Sequence, residues 1–262
     1  MKPCIMTLSG HDPCGGAGIQ ADIEAIVSQG CQAVSVITCL TVQDSCGVQR
    51  VEPVAGELIR AQALTVLAER PVAAFKIGLL ASMDSLQAVL EVLQQHPTIP
   101  VVFDPVLASG GGQRFGVLAL HRAFYEQLLP HVSLLTPNVP EVLQLAGEPA
   151  HSETAALQLL QTGCANVLVT GTHAPSEQVE NSWYAEGQLQ YVWPWQRLPH
   201  TYHGSGCTLA AACAAQLGKG VATFTALASA QAYAWQALQQ GAPVGACQAL
   251  PERFYWVDKA GS

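Results

Sequence analysis

The densest capacity for chemistry in this chain lies in His203-Gly204-Ser205-Gly206-Cys207-Thr208, followed directly by Leu209-Ala210-Ala211-Ala212. Two glycines one residue apart close a polar segment, and an Ala/Leu run with strong helical propensity begins at once. Glycine tolerates positive φ and lets a ligand lie against the backbone. The first turn of a helix has four N–H groups without intrahelical partners, and the macrodipole adds about half a positive charge there. Together these make an anion site, and they put Cys207 where a helix field favours the thiolate. The plainer alternative for the same residues is a tight turn into a buried helix, with Cys207 as a small core residue.

Other groups are candidates too. His11-Asp12-Pro13-Cys14-Gly15-Gly16-Ala17-Gly18 is a glycine-rich turn. It lacks the G-x-G-x-x-G spacing and later acidic ribose ligand of a dinucleotide fold, so that reading is rejected. Either the turn simply needs small residues, or it lets a small substrate approach the backbone. Gln43 sits in the polar stretch 41–49. Its amide carries a donor and an acceptor, which suits the edge of a heteroaromatic ring as well as a solvated loop. Asp104 follows an apolar run, where ligands bind in a parallel sheet or where a carboxylate caps the next turn. Ala108-Ser109-Gly110-Gly111-Gly112 is a candidate flap. Asn138 and Glu141 stand three apart with Pro140 between them. They read as a helix-capping pair or as a metal-water site, since Mg²⁺ prefers oxygen ligands and keeps several waters. Taken alone, capping is the better reading.

These groups need a frame. An apolar run over 4–8, a helical period through Ile19, Ile23, Ile26 and Val27 ending near Gly30, and a second apolar run over 33–39 make a βαβ unit. Such a unit implies parallel strands and a right-handed crossover. The spacing predicts helices over 55–69, 82–95 with Ser82 as its cap, 117–129, 152–163 and 222–240, with the helix after Cys207 ending near Gly218. It predicts strands over 73–77, 100–103, 133–135 and 166–169. Segments 182–185 and 188–193, joined by Glu186-Gly187, predict a hairpin and so an antiparallel edge on the sheet. The aromatics Trp183, Tyr184, Tyr191, Trp193 and Trp195 read as edge packing rather than a ligand platform. No linker, charge block or repeat divides the chain, so one domain over 1–262 is expected.

Composition narrows the function classes. Half of the 262 residues are hydrophobic and 11% are charged, which allows a large core and excludes a disordered chain. A net charge of −8 without a Lys/Arg cluster argues against nucleic acid as a partner. Sparse surface charge hints at a homodimer. The nine cysteines are scattered without a C-x-x-C pair, which suggests neither a disulfide framework nor zinc, but reduced thiols in a cytoplasmic protein. No apolar run is long enough to span a bilayer, so no membrane partner is expected.

Taken together, the segments resemble the hydroxymethylpyrimidine/phosphomethylpyrimidine kinases of thiamine biosynthesis, within the ribokinase-like superfamily. The resemblance rests on Ser9-Gly10-His11-Asp12-Pro13 with Gly15-Gly16-Ala17-Gly18-Ile19-Gln20-Ala21-Asp22, and on Gln43 with Gly47-Val48-Gln49. It rests further on Lys76-Ile77-Gly78, Asp104-Pro105-Val106, Thr136-Pro137-Asn138 with Glu141, and His203 through Thr208. They come in the family's order and span roughly residues 5–215; any one is weak, the set is specific.

This resemblance implies an α/β fold, a ribokinase-like three-layer α/β/α sandwich with a mostly parallel central sheet and an antiparallel edge. It implies ATP with Mg²⁺ as donor and 4-amino-5-hydroxymethyl-2-methylpyrimidine and its monophosphate as acceptors. Gly204, Ser205, Gly206 and Cys207 match the family's anion hole, with Cys207 orienting or deprotonating the acceptor hydroxyl. Gln43 matches the pyrimidine-edge glutamine, with Gly10, Ala17, Leu79 and Val106 against the ring. Asp104, Asn138 and Glu141 would hold the metal largely through water, with Asn138, Glu141, Thr170 and Thr208 on the nucleotide side. The chain departs from the pattern twice. It has Ala108-Ser109-Gly110 where the family usually carries a flap lysine, and Thr170-Gly171-Thr172-His173 where the family usually has Lys-Gly-Gly-His. Losing two cations near donor phosphates weakens charge stabilisation, for which Arg114 is a candidate substitute. Two alternatives therefore stay open: a pyridoxal or pyridoxine kinase, and a degenerate member that binds pyrimidine without efficient transfer.

Overall fold

The computed structural model describes residues 2–107, 118–172 and 177–257. Its frame begins with the expected βαβ unit: strand β1 (Cys4–His11), helix α1 (Gly18–Ser28) and strand β2 (Gln32–Gln43), with β1 and β2 parallel from Cys4↔Gln32 to His11↔Leu40. Both strands outrun the apolar runs that mark them, because β1 carries Ser9, Gly10 and His11 past the core into the site. The stretch 41–49 is not a loop throughout. It completes β2 and turns into β3 (Val48–Pro53), antiparallel to β2. The turn closes because Asp44 Oδ1 accepts from the amides of Cys46 and Gly47, at 2.8 and 3.1 Å. This local side-chain bond makes a hairpin out of residues with no apolar alternation.

Next come α2 (Gly56–Glu69), β4 (Ala74–Ile77), α3 (Met83–Gln95) and β5 (Val101–Phe103). Ser82 caps α3 as its position predicts, accepting from Ser85 N at 3.0 Å. The expected single helix over 117–129 is instead α4 (Leu118–Ala123), a wider π-type turn (Phe124–Leu128) and a 3₁₀ turn (Leu129–His131). Pro130 in that last turn ends the helix. Then follow β6 (Leu134–Leu135), α5 (Val139–Leu145), α6 (Ser152–Leu160) and β7 (Asn166–Val169).

The hairpin β8 (Gln178–Ala185) and β9 (Gln188–Gln196) forms across Glu186 and Gly187. Both turn residues have positive φ, 53° and 72°, as a tight two-residue hairpin turn requires. Helices α7 (Ser205–Gly218) and α8 (Thr223–Gln239) and the short pair β10 (Ala242–Pro243) and β11 (Ala249–Leu250) complete the described chain.

The nine-stranded sheet runs β3-β2-β1-β4-β5-β6-β7-β8-β9. Strands β2 through β7 are parallel, and β3 on one side and β8–β9 on the other are antiparallel. Strand alternation sorts the core into two layers. Met6, Leu8, Phe75, Ile77, Val101 and Phe103 face helices α2 to α6. Ile5, Ala74 and Val102 face the Ala-rich α7 and α8 together with α1. By the same period, Thr7, Ser9, Lys76 and Asp104 lie on the α1/α7 side. This alternation puts polar groups at the carboxyl ends of the parallel strands, where α/β sheets bind ligands.

Candidate active site

Two helix N-termini converge on that end of the sheet. Helix α7 starts at Ser205 behind Gly204, whose φ of 78° only glycine adopts readily. Helix α1 starts at Gly18, with Ala17 before it. A side chain on Gly204 would run into Gly16 O and stand 2.9 Å from Ala17 Cα, so the two turns touch backbone to backbone. The Cys207 sulfur faces the Gly18 amide, which pulls its thiol pKa down. The first-turn amides after Gly204 have no helical partner, while Thr208 N already bonds Gly204 O at 2.9 Å.

Beneath α7 lies a buried charge network. Asp22, on the face of α1 turned to the sheet, accepts from Thr7 Oγ1 at 2.5 Å and from Ser9 Oγ at 2.6 Å. Lys76 Nζ stands 2.8 Å from Asp22 Oδ1 and 3.7 Å from Asp104 Oδ2. Burial works against the Lys76 ammonium, but the carboxylates of Asp22 and Asp104 outweigh it and hold it charged. Asp104 is also buried. Burial and the Asp22 charge push its carboxyl up, against the pull of Lys76 and a hydrogen bond from Cys207. Asp104 Oδ2 has no hydrogen-bond partner.

Cys207 is acted on by opposed effects. Burial pushes its thiol up to about 12, with Asp104 and Asp22 adding to the rise against the pull of Lys76. Burial and the two carboxylates thus work against the helix field on this thiol.

Asn138 and Glu141 form a full capping box: Asn138 Oδ1 accepts from Glu141 N and Glu141 Oε2 from Asn138 N, both at 2.9 Å. Burial and the Asp104 charge push the Glu141 carboxyl up to about 8. The capping pair therefore also faces Asp104. Thr170 N bonds Pro137 O at 2.9 Å and bridges to Asn138, which keeps it beside that cap. Thr208 is buried. Its hydroxyl donates to Gly204 O at 2.8 Å and accepts from Arg253 Nε at 2.9 Å, so both of its roles are taken inside the scaffold.

On the acceptor side, Gly10 lies against Leu79: a Cβ on Gly10 would meet Leu79 Cδ2 at 3.5 Å and Cys39 Sγ at 2.8 Å. Ala17 N donates to Asp12 Oδ2 at 2.7 Å. Gln43 Nε2 donates to Thr41 Oγ1, which donates to His11 O, each at 2.8 Å, tying the glutamine to the end of β1. Val106 is half-buried beside Asp104. The flap over 108–112, Arg114 and His173 lie outside the described residues.

Several functional neighbours carry no expectation from sequence. Asp12 is fully buried and accepts from His203 Nε2 at 2.8 Å, Cys14 N at 3.0 Å, Cys14 Sγ at 3.3 Å and Ala17 N. Burial pushes its carboxyl up, but these bonds win and hold it at about 2. Cys46 and Cys247 are disulfide-bonded, which corrects the expectation of nine reduced thiols. The bond joins the β2–β3 turn, just past Gln43, to the segment before β11. Lys76 and Asp22 have a readable signal in hindsight: a lone lysine in a strand whose every residue is buried needs a partner.

Comparisons with known proteins add an independent line. The family profile described as phosphomethylpyrimidine kinase matches residues 12–251. A hydroxymethylpyrimidine/phosphomethylpyrimidine kinase of Salmonella typhimurium is 38% identical over 216 residues, 80% of this chain and 81% of that protein. Its counterpart in Synechococcus elongatus is 34% identical over 97% of this chain and 98% of its own. Among solved structures, an ADP complex of Bacillus subtilis pyridoxal kinase superposes with a TM-score of 0.88 at 27% identity, covering 97% of this chain and 98% of that one. A phosphomethylpyrimidine kinase of Clostridium difficile gives 0.77 at 29% identity, covering 88% and 97%.

Proposed function

This chain belongs to the phosphomethylpyrimidine kinase family and is a phosphotransferase, and from that premise we propose which groups it joins: it transfers the terminal phosphoryl group of ATP, with Mg²⁺, to 4-amino-5-hydroxymethyl-2-methylpyrimidine and then to the monophosphate. The observation that carries the reading is the meeting of the α1 and α7 N-termini around Cys207. Phosphoryl transfer asks for in-line positioning and cancellation of oxygen charge more than for covalent help. The amides of Ser205, Gly206 and Cys207 would grip the migrating group, their fixed dipoles needing no reorganisation as charge shifts. A Cβ on Gly206 would stand 3.6 Å from Asp104 Oδ1, an ordinary contact distance that places this turn directly over the Asp104 carboxylate.

Gln43 would read the ring edge, while Gly10, Ala17, Leu79 and Val106 enclose the ring. Cys207 would hold the acceptor hydroxyl in line, and would take its proton as the new P–O bond forms only by passing its own S–H proton to the Asp104 carboxylate beside it. Thr170 would lie on the donor side. Thr208 would contribute through Gly204, whose carbonyl it fixes. The donor set fits a hard divalent cation: Asp104 Oδ2 is buried without a hydrogen-bond donor, and the nearby Glu141 carboxyl is raised by burial and by the Asp104 charge. Asp104, Asn138 and Glu141 would hold Mg²⁺ largely through water. When bound, the ion supplies charge neutralisation on the donor phosphates.

A pyridoxal or pyridoxine kinase is the second reading, favoured by the close superposition on a pyridoxal kinase. ATP consumption measured with the hydroxymethylpyrimidine, its monophosphate and pyridoxal, with and without Mg²⁺, decides between them. Turnover of both pyrimidines is expected. Pyridoxal turnover alone selects the second reading, and pyrimidine binding without turnover selects a degenerate member. We read the working enzyme as a homodimer. No described helix is long and apolar enough to cross a membrane. Exposed Leu40, Val42 and Leu58 offer an apolar face for a second copy, which light scattering at micromolar concentration tests.

A further inference from the structure

The C-terminal segment adds little to the sequence motifs, yet it is fastened to the site at three points. Cys247 bonds Cys46 in the turn after Gln43. Ala249 donates to Thr201 O and accepts from His203 N, both at 2.9 Å, and so holds the lead-in to Gly204. Arg253 is the third point. Its side chain is buried, and its guanidinium fork reaches three separate elements. Nε donates to Thr208 Oγ1 at 2.9 Å, Nη1 to Glu24 Oε2 at 2.9 Å, and Nη2 to Gly16 O through a short contact.

Two of those partners bracket the reaction space. Gly16 O belongs to the acceptor-side turn and packs on Gly204. Thr208 passes its hydrogen to Gly204 O, the carbonyl that opens α7. A planar guanidinium holds several acceptors in one fixed geometry, which a single ammonium on a flexible stem does not. We propose that Arg253 is a positioning residue: it sets the distance and angle between the glycine turn that holds the acceptor and the α7 turn that grips the phosphoryl group. It touches no reacting atom. The inference rests on the kinase reading above. Glu24, half-exposed on the outer side of α1, is the partner that this role does not need.

The test compares Arg253→Lys, Arg253→Met and Glu24→Gln in the full chain. Misalignment of reacting groups by an ångström costs on the order of a hundredfold in rate, so kcat should fall at least about tenfold in both Arg253 variants. KM for ATP should stay within about threefold, because ground-state nucleotide binding is untouched. Thermal melts report how much of each variant is folded, and kcat is taken per folded molecule. Glu24→Gln should keep its kcat. A kcat per folded molecule unchanged in Arg253→Met, or restored in full by Arg253→Lys, overturns the proposal. A second readout needs no substrate: amide hydrogen exchange over 14–18 and 204–208 should rise together in both Arg253 variants and not in Glu24→Gln. Unchanged exchange at these segments overturns the proposal even where the wild type turns over no pyrimidine. Joint loosening with an inactive wild type upholds it while refuting the kinase substrate.

Discussion

Lys76→Met is the sharpest perturbation this structure offers. The substitution keeps the length of an apolar stem inside a fully buried strand and deletes one buried charge. Asp22 then retains only the hydroxyl donors of Thr7 and Ser9, and Asp104 loses its nearest cation. Removing one partner of a buried pair costs about 3–5 kcal/mol, because the other charge stays behind without compensation. For a domain of this size that corresponds to a Tm loss of roughly 6–20 °C. Urea denaturation at neutral pH, followed by far-ultraviolet circular dichroism and tryptophan fluorescence, measures it. Asp22→Asn and the double variant complete the cycle. With both charges gone, the double variant should lose far less than the two single losses added together, with a coupling of at least about 2 kcal/mol. Lys76→Met within about 1 kcal/mol of the wild type, or strictly additive losses, would refute the claim that this pair is a coupled buried unit.

Three further outcomes are expected. Cys207→Ala should slow phosphorylation of the hydroxymethyl substrate far more than of the monophosphate, whose acceptor oxygen carries no proton to remove; equal losses in kcat count against a role for the thiol in proton transfer. Asp12 is held at about 2 against an ordinary 3.8, so its bonds stabilise the fold above about pH 4 and the gain fades as pH falls toward 2. Asp12→Asn should therefore cost about 2 kcal/mol in urea melts at neutral pH and much less near pH 2.5, and a deficit that persists in acid contradicts the linkage. Reduction of Cys46–Cys247 by a dithiol, or Cys46→Ser, should lower stability by roughly 2–4 kcal/mol through the freed unfolded chain and raise the KM for pyrimidine. An unaltered KM would show that Ala249 and Arg253 hold the hairpin side without the crosslink.

What the sequence makes legible follows from range. The order of strands and helices is local, and apolar spacing reads it well: β7 falls on the expected 166–169, and Ser82 caps α3. The Asn138/Glu141 capping box is legible for the same reason, since three residues suffice to build it. Polar hairpins are less so. Strand β3 has no apolar alternation, and its turn depends on one Asp44 side chain. Long-range partners are invisible to spacing. Cys46 and Cys247 are 201 residues apart, and Asp12 and His203 are 191 apart. The surroundings of Cys207 are legible only in part: the helix N-terminus shows in the sequence, but the desolvation and the two carboxylates that oppose it arrive from β5 and α1.

The chain's charge economy explains why its site is built from backbone. Its lysines are Lys2, Lys76, Lys219 and Lys259, and Lys76 is committed to Asp22 below the site. By the resemblance drawn from its motifs, Thr170 stands where a cation toward the donor is expected. In the proposed reaction, charge on the travelling phosphoryl group would be met by oriented amides at Ser205 to Cys207 and by the metal. Amides are weaker than lysines taken singly, and their effect depends on alignment. The alignment is what the surrounding structure over-determines: Thr208 fixes Gly204 O, Ala249 fixes His203 N, Asp12 fixes His203 and Ala17, and Arg253 joins Gly16 to Thr208. A site that relies on dipoles rather than mobile cations needs more scaffold. Here much of that scaffold comes from the C-terminal residues that resemble no motif.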